Sequence, residues 1–351
     1  MFNKFLRIAL ALCILPACTQ CASQEKEEEA PKSIASVKLI WDKDYSAFPS
    51  LEKFSGSYFV SFREGESHIF DSNGEANGKV RILRSEDGET WSPVALLEKK
   101  GFDLRDPHLS ITPDGRLMVI MGGSIYRDQK LTGKNPHVSF STDGNTFSNP
   151  EPVVYEDNPA SNNEWFWRVT WFGDTGYTVS YGSGELLLLK TKDGVHYNKV
   201  TTLAIDGSPN ETTLRFLPDG RMLLLARREG GNQFGCWGVS YPPYSDWDFN
   251  LLSFRIGGPD FMVLDDETVI AAGRAYLEKA NRTRIWKGNL QGQFKTVFTL
   301  PSGSDNSYPG ILKVGDELWV VYYSSHELRT EDGEKRAGIY FAKVPMSVFD
   351  E

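Results

Sequence analysis

A hairpin that recurs six times along the chain limits the folds that are open to it. Each copy is a short apolar strand, a tight turn and a second apolar strand, and helical periodicity is almost absent. Successive turns lie 44 to 61 residues apart, about the length of a four-stranded propeller blade. The sequence therefore predicts an all-β fold, a six-bladed β-propeller, over residues 37–351. The predicted turns lie near Gly56, Gly115, Gly176, Gly220, Asp266 and Asp316.

The first 22 residues are typical of an export signal. Lys4 and Arg7 precede a short apolar run, and the run ends in "LPAC", which resembles the lipobox of bacterial lipoproteins with Cys18 as the lipidated residue. Simple cleavage near Ala22 is the alternative. Residues 23–36 are acidic and predict a disordered tether. We expect a cell-envelope protein, either an outer-membrane lipoprotein touching the membrane only through its lipid or a periplasmic or secreted protein.

Charge and composition exclude several functions. The net charge of −9 and the pI of about 5.3 argue against a nucleic-acid partner. Cys13 and Cys18 lie in the signal region, and Cys21 and Cys236 form neither a disulfide framework nor a CxxC metal pair. The five histidines lack HExxH spacing. We therefore expect no metal and no cofactor, and we expect a monomer. The aromatic content of 13% suits a β-rich protein that handles sugars, so we expect a glycan partner.

Three segments match the Asp-box pattern S-x-D-x-G-x-x-W with decreasing fidelity: "SEDGETW", "STDGNTF" and "TKDGVHY", which begin at Ser85, Ser141 and Thr191. Their Asp and Ser or Thr side chains bond the turn backbone, and glycine takes a positive φ. Asp-boxes within a six-bladed propeller resemble the sialidase (neuraminidase) superfamily, and the resemblance covers essentially residues 37–351.

The open ends of the hairpins carry charged and aromatic side chains. In a propeller, the inner strand of each blade starts on the face where the second strand ends, so these side chains should converge on one central pocket. The candidates are Arg63, Glu64, His68, Arg105, Asp106, Trp167, Arg168, Glu211, Arg227, Arg228, Asp260, Arg274, Tyr308 and His326.

The resemblance assigns roles to four of them. Sialidases use a tyrosine nucleophile, and the stretch "SYPGIL" places Tyr308 where that residue belongs. The segment "NETTLRFLPDGRMLLLAR" is similar to the sialidase segment that holds the base, which implies Glu211, and one arginine of the carboxylate clamp, Arg227. Arg274 in "AAGR" becomes a second clamp arginine.

The chain departs from the family at its first inner strand. Sialidases have an Arg-Ile-Pro motif there, whereas this chain has "AFPSL" with Phe48 before Pro49. We expect Arg63, from the next strand, to supply the missing charge. Asp106 is the first candidate for the general acid, with Glu64 and Asp71 as alternatives. Substrate contacts are also expected from Arg105, His68, Trp167 and His326.

Three functions fit this pattern. One is a sialidase-like retaining exo-glycosidase that releases sialic acid or a related acidic sugar. Another is a propeller glycosidase or polysaccharide lyase for a different sugar, favoured by the missing motif. The last is a non-catalytic, glycan-binding surface lipoprotein, since fold alone does not determine function.

Overall fold

The computed structural model describes residues 35–350, which form six β-sheets around one axis and a single short 3₁₀ helix, Met346–Phe349. The predicted all-β six-bladed propeller is confirmed. The predicted signal peptide, Cys18 and most of the tether lie outside the described residues. No helix within 35–350 is long and apolar enough to cross a bilayer.

The strands follow the chain from blade to blade. The first, β1 (Ser36–Trp41), belongs to the last blade. Blade one is β2 (Tyr45–Phe54), β3 (Ser57–Gly65), β4 (Lys79–Ser85) and β5 (Ser92–Leu97). Blade two is β6 (Asp103–Ile111), β7 (Leu117–Arg127), β8 (Lys130–Lys134), β9 (His137–Ser141) and β10 (Glu151–Pro152). Blade three is β11 (Val154–Tyr155), β12 (Trp165–Phe166), β13 (Thr170–Phe172), β14 (Thr175–Tyr181), β15 (Leu187–Thr191) and β16 (His196–Thr202).

The remaining blades are simpler and the last one closes the ring. Blade four is β17 (Pro209–Phe216), β18 (Met222–Arg228), β19 (Cys236–Ser240) and β20 (Trp247–Leu251). Blade five is β21 (Ile256–Val263), β22 (Val269–Tyr276), β23 (Asn281–Gly288) and β24 (Phe294–Leu300). Blade six combines β25 (Asn306–Val314), β26 (Glu317–Ser324) and β27 (Gly338–Pro345) with β1, which pairs antiparallel with β27. This pairing joins the first strand of the described residues to the last one in one sheet.

Five of the six predicted hairpin turns lie where the sequence indicates, and the third does not. In blade three the tight turn is formed by Gly173 and Asp174, because Phe172 pairs with Thr175. Gly176 instead lies inside β14, paired with Trp171. The segment "FGDTG" offers two glycines, and Gly173 is the one that takes the positive φ, +59°.

The three predicted Asp-box segments form similar turns between the third and fourth strands of blades one to three. In the first, Asp87 accepts bonds from the backbone N–H of Glu89 (2.8 Å) and Thr90 (3.0 Å). Gly88 has φ +69°, and a Cβ there would lie 2.3 Å from the ring of Trp319 in blade six. The turn therefore also fits against the neighbouring blade.

The inner strands share a β-bulge that positions the site. In five blades the pairing register of the inner strand shifts at the same level, and the blade-three strand is interrupted there, between β12 and β13. Four of the bulges contain a residue with left-handed backbone followed by proline. These residues are Phe48 (φ 59°), Asp106 (46°), Gly258 (52°) and Tyr308 (50°). Non-glycine residues in this region are strained, and such strain is concentrated at functional sites.

Candidate active site

A cavity of about 350 Å³ lies where the bulges meet, and five blades contribute to its wall. Three of its lining residues occupy bulge positions, so the shared register explains why side chains distant in sequence meet here. The lining residues are Phe48, His68, Arg105, Asp106, Ser124, Tyr126, Leu131, Lys134, Trp165, Tyr181, Arg274, Asp305, Tyr308 and Tyr323.

Tyr308 and Glu211 are joined by a short hydrogen bond. The Tyr308 hydroxyl donates to Glu211 Oε1 at 2.5 Å, and Arg227 Nη1 donates to both Glu211 oxygens (2.8 and 2.9 Å) and to Tyr308 Oη (2.8 Å). The backbone N–H of Gly258 donates to Glu211 Oε2 at 2.7 Å. The predicted contact between Glu211, Arg227 and Tyr308 is confirmed, whereas their catalytic roles stay predictions.

The phenol remains protonated in this arrangement. Burial and the nearby carboxylate of Glu211 raise the pKa of Tyr308 well above its ordinary value, although Arg227 and Arg274 act in the opposite direction. Tyr308 can therefore act as a nucleophile only if a base takes its proton during the reaction. Glu211 is in contact with that proton.

Arg274 lies at the pocket wall but is largely engaged by protein. Its Nε and Nη2 donate to the Asn306 carbonyl (2.9 and 2.6 Å), and Nη2 also donates to Asp305 (2.9 Å) and to Tyr323 Oη (2.8 Å). Within residues 35–350, its Nη1 has no hydrogen-bond partner. Arg274, which lines the pocket, thus has one guanidinium nitrogen without a partner in the described part of the chain.

Asp305 is the carboxylate that the sequence reasoning missed. It accepts bonds from Tyr45 Oη (2.6 Å), His68 Nδ1 (2.9 Å) and Tyr323 Oη (2.7 Å), besides that from Arg274. Burial would raise its pKa, but the hydrogen bond from His68 and the charge of Arg274 hold the pKa of Asp305 well below its usual range. Asp305 is therefore ionised and balances the charge of Arg274.

Asp106 has the properties of a general acid. It lies at the pocket wall, and its Oδ1 is buried without a hydrogen-bond partner in the described part of the chain. Burial raises the pKa of Asp106 to about 7, against the opposing influence of Arg105. A carboxyl group with such a pKa can carry a proton near neutral pH and release it to a leaving group.

Arg63 does not reach the pocket, which corrects its assignment as a substrate-binding residue. It is 1% exposed, and its Nε and Nη2 bind Asp103 Oδ1 (2.9 and 2.8 Å). Its two Nη atoms also bind the carbonyls of Ser67 (2.8 Å) and Ile69 (3.4 Å). Because every donor faces protein, the guanidinium supports the loop after β3. Arg228, at the equivalent end of β18, likewise binds loop carbonyls.

Several other predicted residues lie away from the cavity. Trp167 has no exposed surface and packs against His108 and Tyr308, and His326 packs on Tyr340 outside the pocket lining. Arg168 and Asp260 line a second cavity of about 370 Å³ further along the inner strands.

The two alternative acids are occupied elsewhere. Glu64 binds Arg81 at 2.7 Å and accepts a bond from Trp41, so it is part of a partly buried ion pair. Asp71 accepts bonds from the backbone of Asn73 and Glu75 within its own loop. Neither residue lines the pocket, which leaves Asp106 as the candidate acid.

The sequence carried weak signals for the residues that were missed. Phe48 occupies the same X-Pro bulge position as Asp106 and Tyr308, so the repeat could have identified it. Tyr323 pairs with Ser307 as Arg274 pairs with Gly257, an equivalent hairpin end. Lys134 lies on the short strand β8, which is an insertion in the repeat, and no periodicity indicates it. Residues 35–350 contain no cluster of metal-ligating side chains.

Structural comparison identifies similar solved structures at low sequence identity. The chain is similar to a Dyadobacter fermentans protein of unknown function (18% identity, TM-score 0.71, covering 90% of this chain and 99% of that one). It is similar to the NanB sialidase of Streptococcus pneumoniae (11% identity, TM-score 0.66, covering 89% of this chain and 71% of that one). It is also similar to the Trypanosoma rangeli sialidase in complex with sialic acid (12% identity, TM-score 0.66, covering 91% of this chain and 59% of that one). No protein-family model and no curated protein matches the chain. At these identities the similarity shows the fold.

Proposed function

We propose that the protein is a sialidase-like retaining exo-glycosidase that releases a terminal sialic acid or a related acidic sugar from a glycan. The observation that carries this proposal is the 2.5 Å hydrogen bond between Tyr308 and Glu211 at the pocket. Tyrosine nucleophiles are an exception among glycosidases and occur in sialidases, whose fold the chain shares.

The reaction proceeds in two displacements. Tyr308 Oη bonds to the anomeric carbon while the bond from that carbon to the leaving oxygen breaks. The phenol proton passes to Glu211, and Asp106 donates a proton to the leaving oxygen. In the second step Asp106 takes a proton from water, the water oxygen attacks the anomeric carbon, and the phenolate leaves and regains its proton from Glu211. Two inversions retain the configuration.

Arg274 and Arg227 support an acidic sugar. Arg274 lines the pocket, and its Nη1 has no hydrogen-bond partner within residues 35–350. Arg227 contacts Tyr308 Oη directly. Both guanidinium groups would attract a carboxylate on the anomeric carbon, and Arg227 would also stabilise negative charge on the phenol oxygen. A carboxylate at that carbon would repel an aspartate or glutamate nucleophile, which is the physical reason for a neutral tyrosine.

One observation favours a second candidate, a propeller glycosidase or lyase acting on a non-sialic sugar. Asp305 already pairs with Arg274, and Ala47 and Phe48 occupy the first inner strand where a third arginine would complete the clamp. A substrate carboxylate near Arg274 would therefore meet an ionised Asp305. Asp305 and the side chains bonded to it, Tyr45, His68 and Tyr323, would instead bind hydroxyl groups well.

Turnover of fluorogenic glycosides tests both candidates. We expect release of the fluorophore from a sialoside, with loss of more than about a thousandfold in kcat for Tyr308→Phe and for Glu211→Gln, as expected when a nucleophile or its base is removed. The first product formed should have the configuration of the substrate, measured by NMR. Activity only on neutral glycosides supports the second candidate. Sugar binding without turnover of any glycoside refutes both and supports a glycan-binding protein.

A further inference from the structure

The uncompensated positive charge of the pocket lies on its blade-two wall. At the opposite side Arg274 is paired with Asp305, while Arg227 and Arg255 are paired with Glu211 and Glu229. Those arginines and carboxylates are equal in number, so that side is close to neutral. The blade-two wall differs in this respect.

Two residues carry the excess charge. Arg105 is 3.4 Å from Asp103, which also binds Arg63. The other acidic neighbour of Arg105 is Asp106, the proposed proton donor, which carries no charge while it is protonated, so the two arginines then share only Asp103. Lys134 lines the same cavity, is half-buried, and its ammonium makes no hydrogen bond or ion pair with any residue in the range 35–350. A half-buried ammonium without an internal partner is available to an anion.

This charge is separated from the reacting tyrosine. The Phe48 ring contacts both residues, with its centroid 5.2 Å from the Tyr308 ring centroid and 5.4 Å from the Arg105 guanidinium carbon. Within residues 35–350, Arg105 and Tyr308 make no hydrogen bond or cation–π contact with each other. An anion bound at Arg105 would therefore not be attached to the carbon that Tyr308 attacks. Asp106, the proposed acid, directly follows Arg105 on β6, so the leaving group would lie beside this wall. Leu131, 47% exposed, and Trp165 provide apolar surface there for a sugar ring.

We propose that Arg105 and Lys134 form an anion subsite for the sugar on the leaving-group side of the scissile bond, which carries a carboxylate or a sulfate. The placement on the leaving-group side rests on the proposed reaction, whereas the anion subsite itself rests on the charges and the cavity. The natural substrate is then a glycan in which the terminal sugar is attached to a uronic acid or to a sulfated sugar.

Binding to full-length Tyr308→Phe protein tests the subsite without turnover. The probes are methyl glucuronide, methyl glucose 6-sulfate and methyl glucoside, measured by titration calorimetry at low and high salt. We expect at least one anionic probe to bind about tenfold more tightly than the neutral one, as for a hydrogen bond to a charged group, with an advantage that shrinks in salt. The probe with the larger advantage identifies carboxylate or sulfate as the source.

Lys134→Gln should abolish that advantage, and Lys130→Gln, on the same strand but outside the pocket lining, should preserve it. Equal binding of all three probes, or an advantage that survives Lys134→Gln, overturns the subsite and leaves the proposed reaction untouched. An advantage that depends on Lys134, together with a wild-type protein that cleaves no glycoside, refutes the reaction and retains the subsite.

Discussion

Gly258 is the bulge residue whose missing side chain makes room for Tyr308. A Cβ built on Gly258 would lie 2.5 Å from Tyr308 Cγ and 2.7 Å from both Cδ atoms. Its N–H also orients Glu211, and its φ is +52°. Gly258→Ala therefore perturbs the nucleophile and the backbone together.

The two effects can be separated by magnitude. An alanine in the left-handed region costs about 1 to 2 kcal/mol of folding free energy. The 2.5 Å contact is about 1 Å shorter than an ordinary van der Waals contact, so the Tyr308 ring must move by roughly that distance. A displacement of about 1 Å of a reacting group lowers kcat by about a hundredfold. The loss of activity should thus be much larger than the loss of stability implies.

Gly315→Ala is the matched control. Gly315 has nearly the same φ, +57°, but a Cβ there would have no neighbour within 4 Å. Both variants should lose the backbone cost of about 1 to 2 kcal/mol in denaturant titrations, and Gly258→Ala should lose about 1 to 3 kcal/mol more from the clash with Tyr308. Only Gly258→Ala should lose turnover. Crystal structures of both variants would give the Tyr308–Glu211 distance independently of any substrate. Equal kcat values, or an unchanged 2.5 Å hydrogen bond in Gly258→Ala, would refute the reasoning.

Three further predictions concern the acid, a buried arginine and a turn. Asp106 must be protonated to act and its pKa is raised to about 7, so kcat/KM should fall about tenfold per pH unit above pH 7. Asp106→Asn should remove this fall in kcat/KM at alkaline pH. A fall that persists in the variant would exclude Asp106 as the acid. Arg63→Lys should lower the unfolding free energy by about 3 kcal/mol, because lysine cannot reproduce the paired contact with Asp103. Its KM should stay unchanged, and a raised KM at unchanged stability would contradict this reasoning. Trp91→Ala should cost about 3 kcal/mol through lost packing on Phe341 of blade six, and an unchanged Tm would argue against that packing.

The repeat predicted the fold because the strands and the turn of each hairpin are specified by residues that are close together in the sequence. Alternating apolar strands and tight turns recur often enough to count the blades, although the turn at Gly173 was missed because two nearby glycines compete. The same repeat predicted that Glu211, Arg227 and Tyr308 meet, since equivalent hairpin ends in a propeller approach one axis.

Side-chain direction could not be predicted in this way. Arg63 and Arg274 occupy equivalent ends of second strands, yet one is turned into its own loop by Asp103 and the other reaches the pocket. Asp103 and Asp305 decide these outcomes, and both act across blades or loops that the local pattern does not relate.

By itself, the sequence determined the number of blades and showed that the functional residues lie at the open ends of the hairpins. Both follow from strand period and turn chemistry, which are local properties. The tertiary structure alone decided which charges remain free at the pocket. A guanidinium turns toward the nearest carboxylate or carbonyl in space, and the carboxylate partners of Arg274 and Arg63 come from other blades. The Lys134 ammonium has no such partner within residues 35–350. The balance of charge in the pocket is therefore a property of the closed ring of blades.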